Sequence, residues 1–205
     1  LMKSAKAYGI LKKPLKSKIL NLLKQNINSN KKYNHLLRLA LNKTTLSISL
    51  RKRIKPKLNF NLKLVALKRY KPEFKNLKYK KILKYLSKLD NSKSDIGLCF
   101  NKRIFETGTS NIFLIKDEKI FSPANKFYKG ITYNFFKSKI KKIIKKDILI
   151  SSLKIYDEII LIGSGKGVAS VKTIDQIKWN RKSLKFYNLF LKLYKSAVSS
   201  SPRYK

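Results

Sequence analysis

The chain has 205 residues, 43% of them hydrophobic, and carries 50 Lys and Arg against 10 Asp and Glu, a formal net charge of +40. That apolar share supplies a packed core and excludes an intrinsically disordered chain, while the charge invites a nucleic-acid partner. Against that partner, only seven of the basic residues are Arg, the side chain that reads bases and phosphates bidentately, and the lysines are scattered through every segment like a solvated surface.

Single Cys and His residues, Cys99 and His35, exclude a structural zinc site, which needs about four N or S ligands. No motif joins the two into a nucleophile and its base. Nothing suggests disulfides, so a reducing cytoplasm is the simplest compartment. No apolar run approaches the roughly 18 residues of a membrane helix, and the opening "LMKSAKAYGILKK" lacks a signal-peptide core.

In chain order, residues 1–13 read as the end of a helix, and 17–28 as an amphipathic helix with Ile19, Leu20, Leu22, Leu23 and Ile27 on one face. Runs at 35–42 and 45–52 predict a hairpin, "RKRIKPK" at 51–57 a loop, and 62–68 a third strand. Pro72 marks a turning connection, taken as the domain boundary. A helix over 77–89 follows, then strands in "DIGLCFN", "NIFLIKDEKIFSP" and "YDEIILIG", the second folding back at Asp117–Glu118. The spacing of Phe135, Phe136, Ile140, Ile143 and Ile144 predicts a helix over 132–146. "VASVKTI" reads as a strand and 183–198 as a closing helix, giving a mixed α+β pattern.

Two turns suit an anion. Gly130, Ile131 and Thr132 open a helix, where backbone N–H groups and the helix dipole favour phosphate. "LIGSGKGV" at 161–168 is a glycine-rich turn after a strand, but its spacing fails as a nucleotide loop: a Walker motif ending at Lys166 requires Gly at 160 and Ser or Thr at 167, where the chain has Ile160 and Gly167. Either turn alone is also an ordinary tight connection. The stretch "FETGTSNIFLI" is odd in another way, since its one charge is the carboxylate of Glu106.

Taken together, "ETGTSNIFLIKDEKIFSP", "KGIT" and "YDEIILIGSGKGVASVKTID" resemble the class-IV aminotransferases, the fold-type-IV pyridoxal-phosphate enzymes that include branched-chain and D-amino acid aminotransferases and aminodeoxychorismate lyase. The resemblance implies a two-domain α+β fold like that of D-amino acid aminotransferase. Residues 1–70 would be the remnant of a small N-terminal domain, incomplete because its opening strands and a phosphate-binding Arg precede the chain. Residues 75–205 would be the large cofactor-binding domain. A homodimer and pyridoxal 5′-phosphate are implied with it.

Residue by residue, Glu106 matches the family's acid at the pyridine nitrogen, where a carboxylate keeps that nitrogen protonated and the ring electron-accepting. Asn111 matches an Asn that helps hold the Glu and its loop. Lys75, in "FKNLKY", matches the lysine that carries the cofactor, with Tyr79 facing the phenolic oxygen; Lys78 and Lys81 are the alternatives if the register slips. A lysine in that role must be neutral to attack an aldehyde, which neighbouring cations and desolvation favour. Ile131, Thr132 and Ser164 match phosphate contacts. Phe74, Gly163 and Gln176 depart from the family's usual residues.

Both a lyase and a transaminase need Lys75 and Glu106. Lys166-Gly167-Val168 resembles the lyase branch, and a cation at Lys166 suits a small anionic substrate with two carboxylates, 4-amino-4-deoxychorismate. The other reading of Lys166 is one more surface lysine. The resemblance therefore points to a lyase of folate biosynthesis releasing p-aminobenzoate and pyruvate, with an amino acid transaminase as the alternative within the family and a Lys-rich nucleic-acid-binding protein as the alternative outside it. On the first reading no nucleic acid and no membrane takes part.

Overall fold

The computed structural model describes residues 1–10, 14–28, 30–31 and 33–201, and the chain divides into two compact units. The first comprises residues 1–53, 74–77 and 201–205, and the second residues 54–73 and 78–200. Helices α1 (Met2–Ala7) and α2 (Leu15–Asn26) open the first unit and bury Ala5 and Leu15. The predicted hairpin follows as β1 (His35–Leu41) and β2 (Leu46–Lys52), antiparallel from His35 opposite Lys52 to Leu41 opposite Leu46. Its turn is closed by Asn42, whose Oδ1 accepts from the N–H groups of Thr44 (2.9 Å) and Thr45 (2.6 Å).

The second unit begins with β3 (Phe60–Ala66), α3 (Lys80–Leu86), β4 (Ser94–Phe100), β5 (Arg103–Thr107), β6 (Asn111–Lys116) and β7 (Lys119–Pro123). It continues with α4 (Ile131–Lys139), β8 (Ile143–Lys146), β9 (Ile148–Leu149), β10 (Glu158–Gly163), β11 (Gly167–Ile174), β12 (Trp179–Asn180) and α5 (Lys185–Ser200). Its strands form one sheet in the order β8-β7-β6-β10-β11-β3-β4-β5-β9, with β12 added to β11. Strand β3 runs parallel to both β11 and β4, and β8 parallel to β7; the other pairs are antiparallel.

Strands β6 and β10 are apolar on both faces because both faces are covered. Ile112, Leu114, Ile159 and Leu161 enter one core with Phe60 and Leu62, whereas Phe113, Ile115, Ile160 and Ile162 enter another with Tyr133 and Phe136 of α4 and Phe190 of α5. A third core packs Ile82 and Leu86 of α3 against Val65, Ile96 and Leu98.

The larger unit takes in residues 54–73 because β3 hydrogen-bonds between β11 and β4. Two expectations change. The helix expected over 132–146 stops at Lys139; Ile140 is extended and Ile143 to Lys146 pair with β7, as β-branched side chains favour. Strand β5 was not foreseen, since its hairpin turns through Asn101 and Lys102 at φ 47° and 58° without a glycine to mark it.

Helix α5 is held to the sheet by an acid. Glu158 is buried, and its two carboxylate oxygens accept from the N–H groups of Phe186 and Tyr187, each at 2.9 Å. These are first-turn donors with no helical partner. Glu158→Ala is expected to lower the unfolding free energy by about 2 kcal/mol, the order of a charge-assisted pair of hydrogen bonds. Urea titration measures it, and Glu158→Gln, which keeps one acceptor oxygen, should lose less.

Candidate active site

Glu106 sits near the end of β5, opposite Leu98 of β4, and is only 3% exposed. A carboxylate so far from water needs a charged donor. Arg69 supplies it: Nε donates to Oε1 of Glu106 at 2.7 Å, while Nη2 reaches the carbonyls of Thr107 (3.4 Å) and Gly108 (3.3 Å). One guanidinium thus fixes both the acid and the backbone that follows it. Beside Arg69 opens a concavity of about 550 Å³ lined by Lys68, Lys71 and Lys126 and by Glu73.

The loop after Glu106 is folded around Asp95, the one acid of β4, which is fully buried. The hydroxyls of Thr107 and Thr109 donate to Asp95 Oδ2 at 2.8 and 2.6 Å. Thr107 Oγ1 accepts in turn from the N–H of Ser110 at 2.8 Å, closing a tight turn. Lys166, read as a substrate contact or a surface lysine, turns its side chain inward. Its side chain is 8% exposed, and its ammonium lies 3.3 Å from Asp95 Oδ2 and donates to Thr109 Oγ1 at 2.9 Å.

Asn111 follows directly and faces the α4 side of the sheet. Its Nδ2 donates to the Tyr128 carbonyl at 2.6 Å and its Oδ1 accepts from the Gly130 N–H at 3.2 Å. Both amide atoms therefore hold the segment that leads into α4. At that turn Ile131 is 80% exposed and Thr132 is buried, and no side chain caps the helix. Ser164 is exposed on the turn between β10 and β11.

Lys75 lies in the first unit, exposed, with its backbone N–H donating to Ser4 Oγ at 3.1 Å. Phe74 beside it meets the Tyr8 ring edge-on at 6.3 Å. Tyr79 lies in the second unit, half-buried at the start of α3 against the third core. The second unit thus brings Glu106, Asn111, Ile131, Thr132, Ser164 and Lys166 onto connected loops, and Arg69 and Asp95 are the site residues that sequence reading missed. Burial in β4 pushes the Cys99 thiol up to about 12, away from the reactive thiolate. Among the described residues no group of His, Cys, Asp and Glu could hold a metal ion, and no helix is long and apolar enough to cross a membrane.

The sequence profile described as amino-transferase class IV matches residues 1–174, and the chain belongs to that family. Enzymes of the family use pyridoxal phosphate. The structure is similar to 4-amino-4-deoxychorismate lyase from Pseudomonas aeruginosa, with TM-score 0.71 at 15% identity over 97% of this chain and 82% of that one. It is similar also to the branched-chain aminotransferase of Thermoproteus uzoniensis, with TM-score 0.75 at 16% identity over 97% of this chain and 76% of that one. A hypothetical aminotransferase from Mycobacterium tuberculosis gives TM-score 0.75 at 14% identity over 98% and 82%. Likenesses at this identity establish the fold. Compared by sequence, none of the curated proteins matches the chain.

The Arg69–Glu106 pair gives a test that needs no ligand. Arg69→Met leaves a carboxylate buried without its cation and is expected to cost about 3 kcal/mol, read as a lowered urea midpoint. Arg69→Lys restores charge but cannot reach two carbonyls and the acid together, so it should recover only part of the loss.

Proposed function

We propose that the protein is a pyridoxal-phosphate enzyme that converts 4-amino-4-deoxychorismate to p-aminobenzoate and pyruvate, acting as a homodimer on a small anionic substrate in the cytoplasm, with neither nucleic acid nor membrane as partner. The observation that carries the cofactor reading is Glu106, an ionisable acid kept out of water and clamped on one oxygen by Arg69. The donor set fits the group. Glu106 would hold the ring nitrogen, the N–H groups at Ile131 and Thr132 with the Ser164 hydroxyl would take the phosphate, Tyr79 would meet the phenolic oxygen, and Lys75 would bind the cofactor covalently. When bound, the cofactor supplies an electron-accepting ring for bond cleavage at an amine-bearing carbon.

The chain's own groups then divide the work. Glu106 retains a proton on the ring nitrogen, and Arg69 keeps the carboxylate aimed by fixing its backbone as well. The Lys75 amine accepts the proton from the substrate's amine-bearing carbon and can return it to the departing group. Lysines 68, 71 and 126, around the concavity at Arg69, suit substrate carboxylates. The lyase reaction is favoured by the resemblance of Lys166-Gly167-Val168 to the lyase branch. Transamination of an amino acid is the second reading, and it is favoured by the Lys166 ammonium being spent on Asp95.

Incubation with pyridoxal phosphate, borohydride reduction and peptide mapping should place the pyridoxyl group on Lys75; its appearance on Lys78 or Lys81 would refute the assignment. Glu106→Gln should still bind cofactor while losing roughly a hundredfold in turnover, because a neutral amide no longer holds the ring proton. The reaction itself is decided by product release. We expect p-aminobenzoate and pyruvate without any keto-acid acceptor, and a strict requirement for 2-oxoglutarate or another acceptor would establish the transaminase reading instead.

A further inference from the structure

Lys166 and Asp95 come from distant parts of the sequence and meet where a ligand contact was expected. Asp95 receives four donors. The Ile96 N–H reaches Oδ1 at 2.8 Å, and Oδ2 takes the hydroxyls of Thr107 (2.8 Å) and Thr109 (2.6 Å) and the Lys166 ammonium (3.3 Å). The Thr109 hydroxyl bridges the two charges, donating to Asp95 and accepting from Lys166 at 2.9 Å. The ammonium also lies 5.3 Å from the centre of the Phe60 ring, a cation–π distance.

Packing closes the same joint independently of charge. A Cβ added at Gly163, at the head of the β10–β11 turn, would come within 3.3 Å of both Ser110 Oγ and the Thr109 carbonyl oxygen. One added at Gly108 would come within 2.9 Å of Ile96 Cγ1 and 3.0 Å of Asp95 Oδ1. The loop is thus pressed between β4 and the turn, too closely at Gly108 for a side chain without displacing a neighbour, and tightly at Gly163.

We propose that Asp95 and Lys166 are a positioning pair that locks the Gly163–Gly167 turn onto the loop between Glu106 and Asn111. On this assignment Lys166 does not touch the substrate. Its ammonium balances a fully buried carboxylate, and the two together select one arrangement of turn and loop. A buried pair of this kind adds little net stability but costs several kcal/mol when only one partner is removed. The consequence for function rests on the cofactor reading above: the turn carries Ser164, the loop begins at Glu106, and the pair sets the distance between a phosphate contact and the ring-nitrogen acid.

Amide hydrogen exchange on the purified protein without cofactor tests the joint directly. Lys166→Met and Asp95→Asn should each speed exchange about tenfold or more in both 107–111 and 163–167, leaving α5 unchanged. Lys166→Arg, which keeps a cation, should stay within about threefold of the natural protein. The double variant Asp95→Asn with Lys166→Met should be no worse than the more damaging single one, because each change removes the same interaction. It also serves if Lys166→Met alone fails to fold. Exchange raised in 163–167 alone, or single effects that add in the double variant, would overturn the proposal. With cofactor added, the same variants should bind it about tenfold more weakly in an absorbance titration. If the natural protein binds no pyridoxal phosphate the cofactor reading falls, while the exchange experiment still decides the pair. A raised Michaelis constant for Lys166→Met with unaltered exchange would return Lys166 to the substrate and sink the pair.

Discussion

A carboxylate taken out of water must meet a donor that replaces it, and in the larger unit that requirement fixes three joints. Of the 10 acidic residues, Asp95, Glu106 and Glu158 are buried, and each binds segments that the strand ladder alone would leave apart. Glu158 seats the first turn of α5, Glu106 draws in the Arg69 guanidinium, and Asp95 gathers two threonines and Lys166. With 50 cations the chain has no shortage of donors; what it rations is the buried acid, so the few that remain inside specify geometry.

The surface obeys a looser rule. Exposed pairs such as Lys182–Asp157 at 3.2 Å or the contact of Lys185 with Glu118 are worth little each, and salt screens the repulsion among solvated lysines within about 10 Å. Lysine can therefore accumulate outside without dictating a partner, while the interior keeps acids where a cation is needed at a defined place.

That contrast also explains what was legible beforehand. Runs such as "IFLI" and "IILI" announce strands because burial on both faces leaves no polar position within them, and Glu106 is conspicuous among cations. The helix expected over 132–146 shows the limit of periodicity: Ile143 and Ile144 satisfy a helical stripe and a strand equally, and only the β7 edge decides. Arg69 and Asp95 were hidden for another reason. A guanidinium is one basic residue among fifty until its acceptor is known, and that acceptor is brought close by β3–β4–β5 pairing, which no local pattern encodes. Lys166 was visible as a cation, but its contacts with Asp95 and Thr109 were not, since sequence does not show which way a side chain points.

The six residues from Glu106 to Asn111 then act as a hub. Their first member carries the acid held by Arg69, their middle is bound to β4 and to the β10–β11 turn, and their last clamps the entry to α4 through Tyr128 and Gly130. From Thr107 to Asn111 the loop's own part in each tie is a short side chain or a backbone group, so little slack is available. A site assembled from an acid on one strand, a helix start after another and a turn after a third requires those parts to agree within a fraction of an ångström. Sheet registry supplies most of that agreement. The polar ties of one short loop supply the remainder, which is the physical reason small and hydroxyl-bearing residues fill the stretch between the acid and the asparagine.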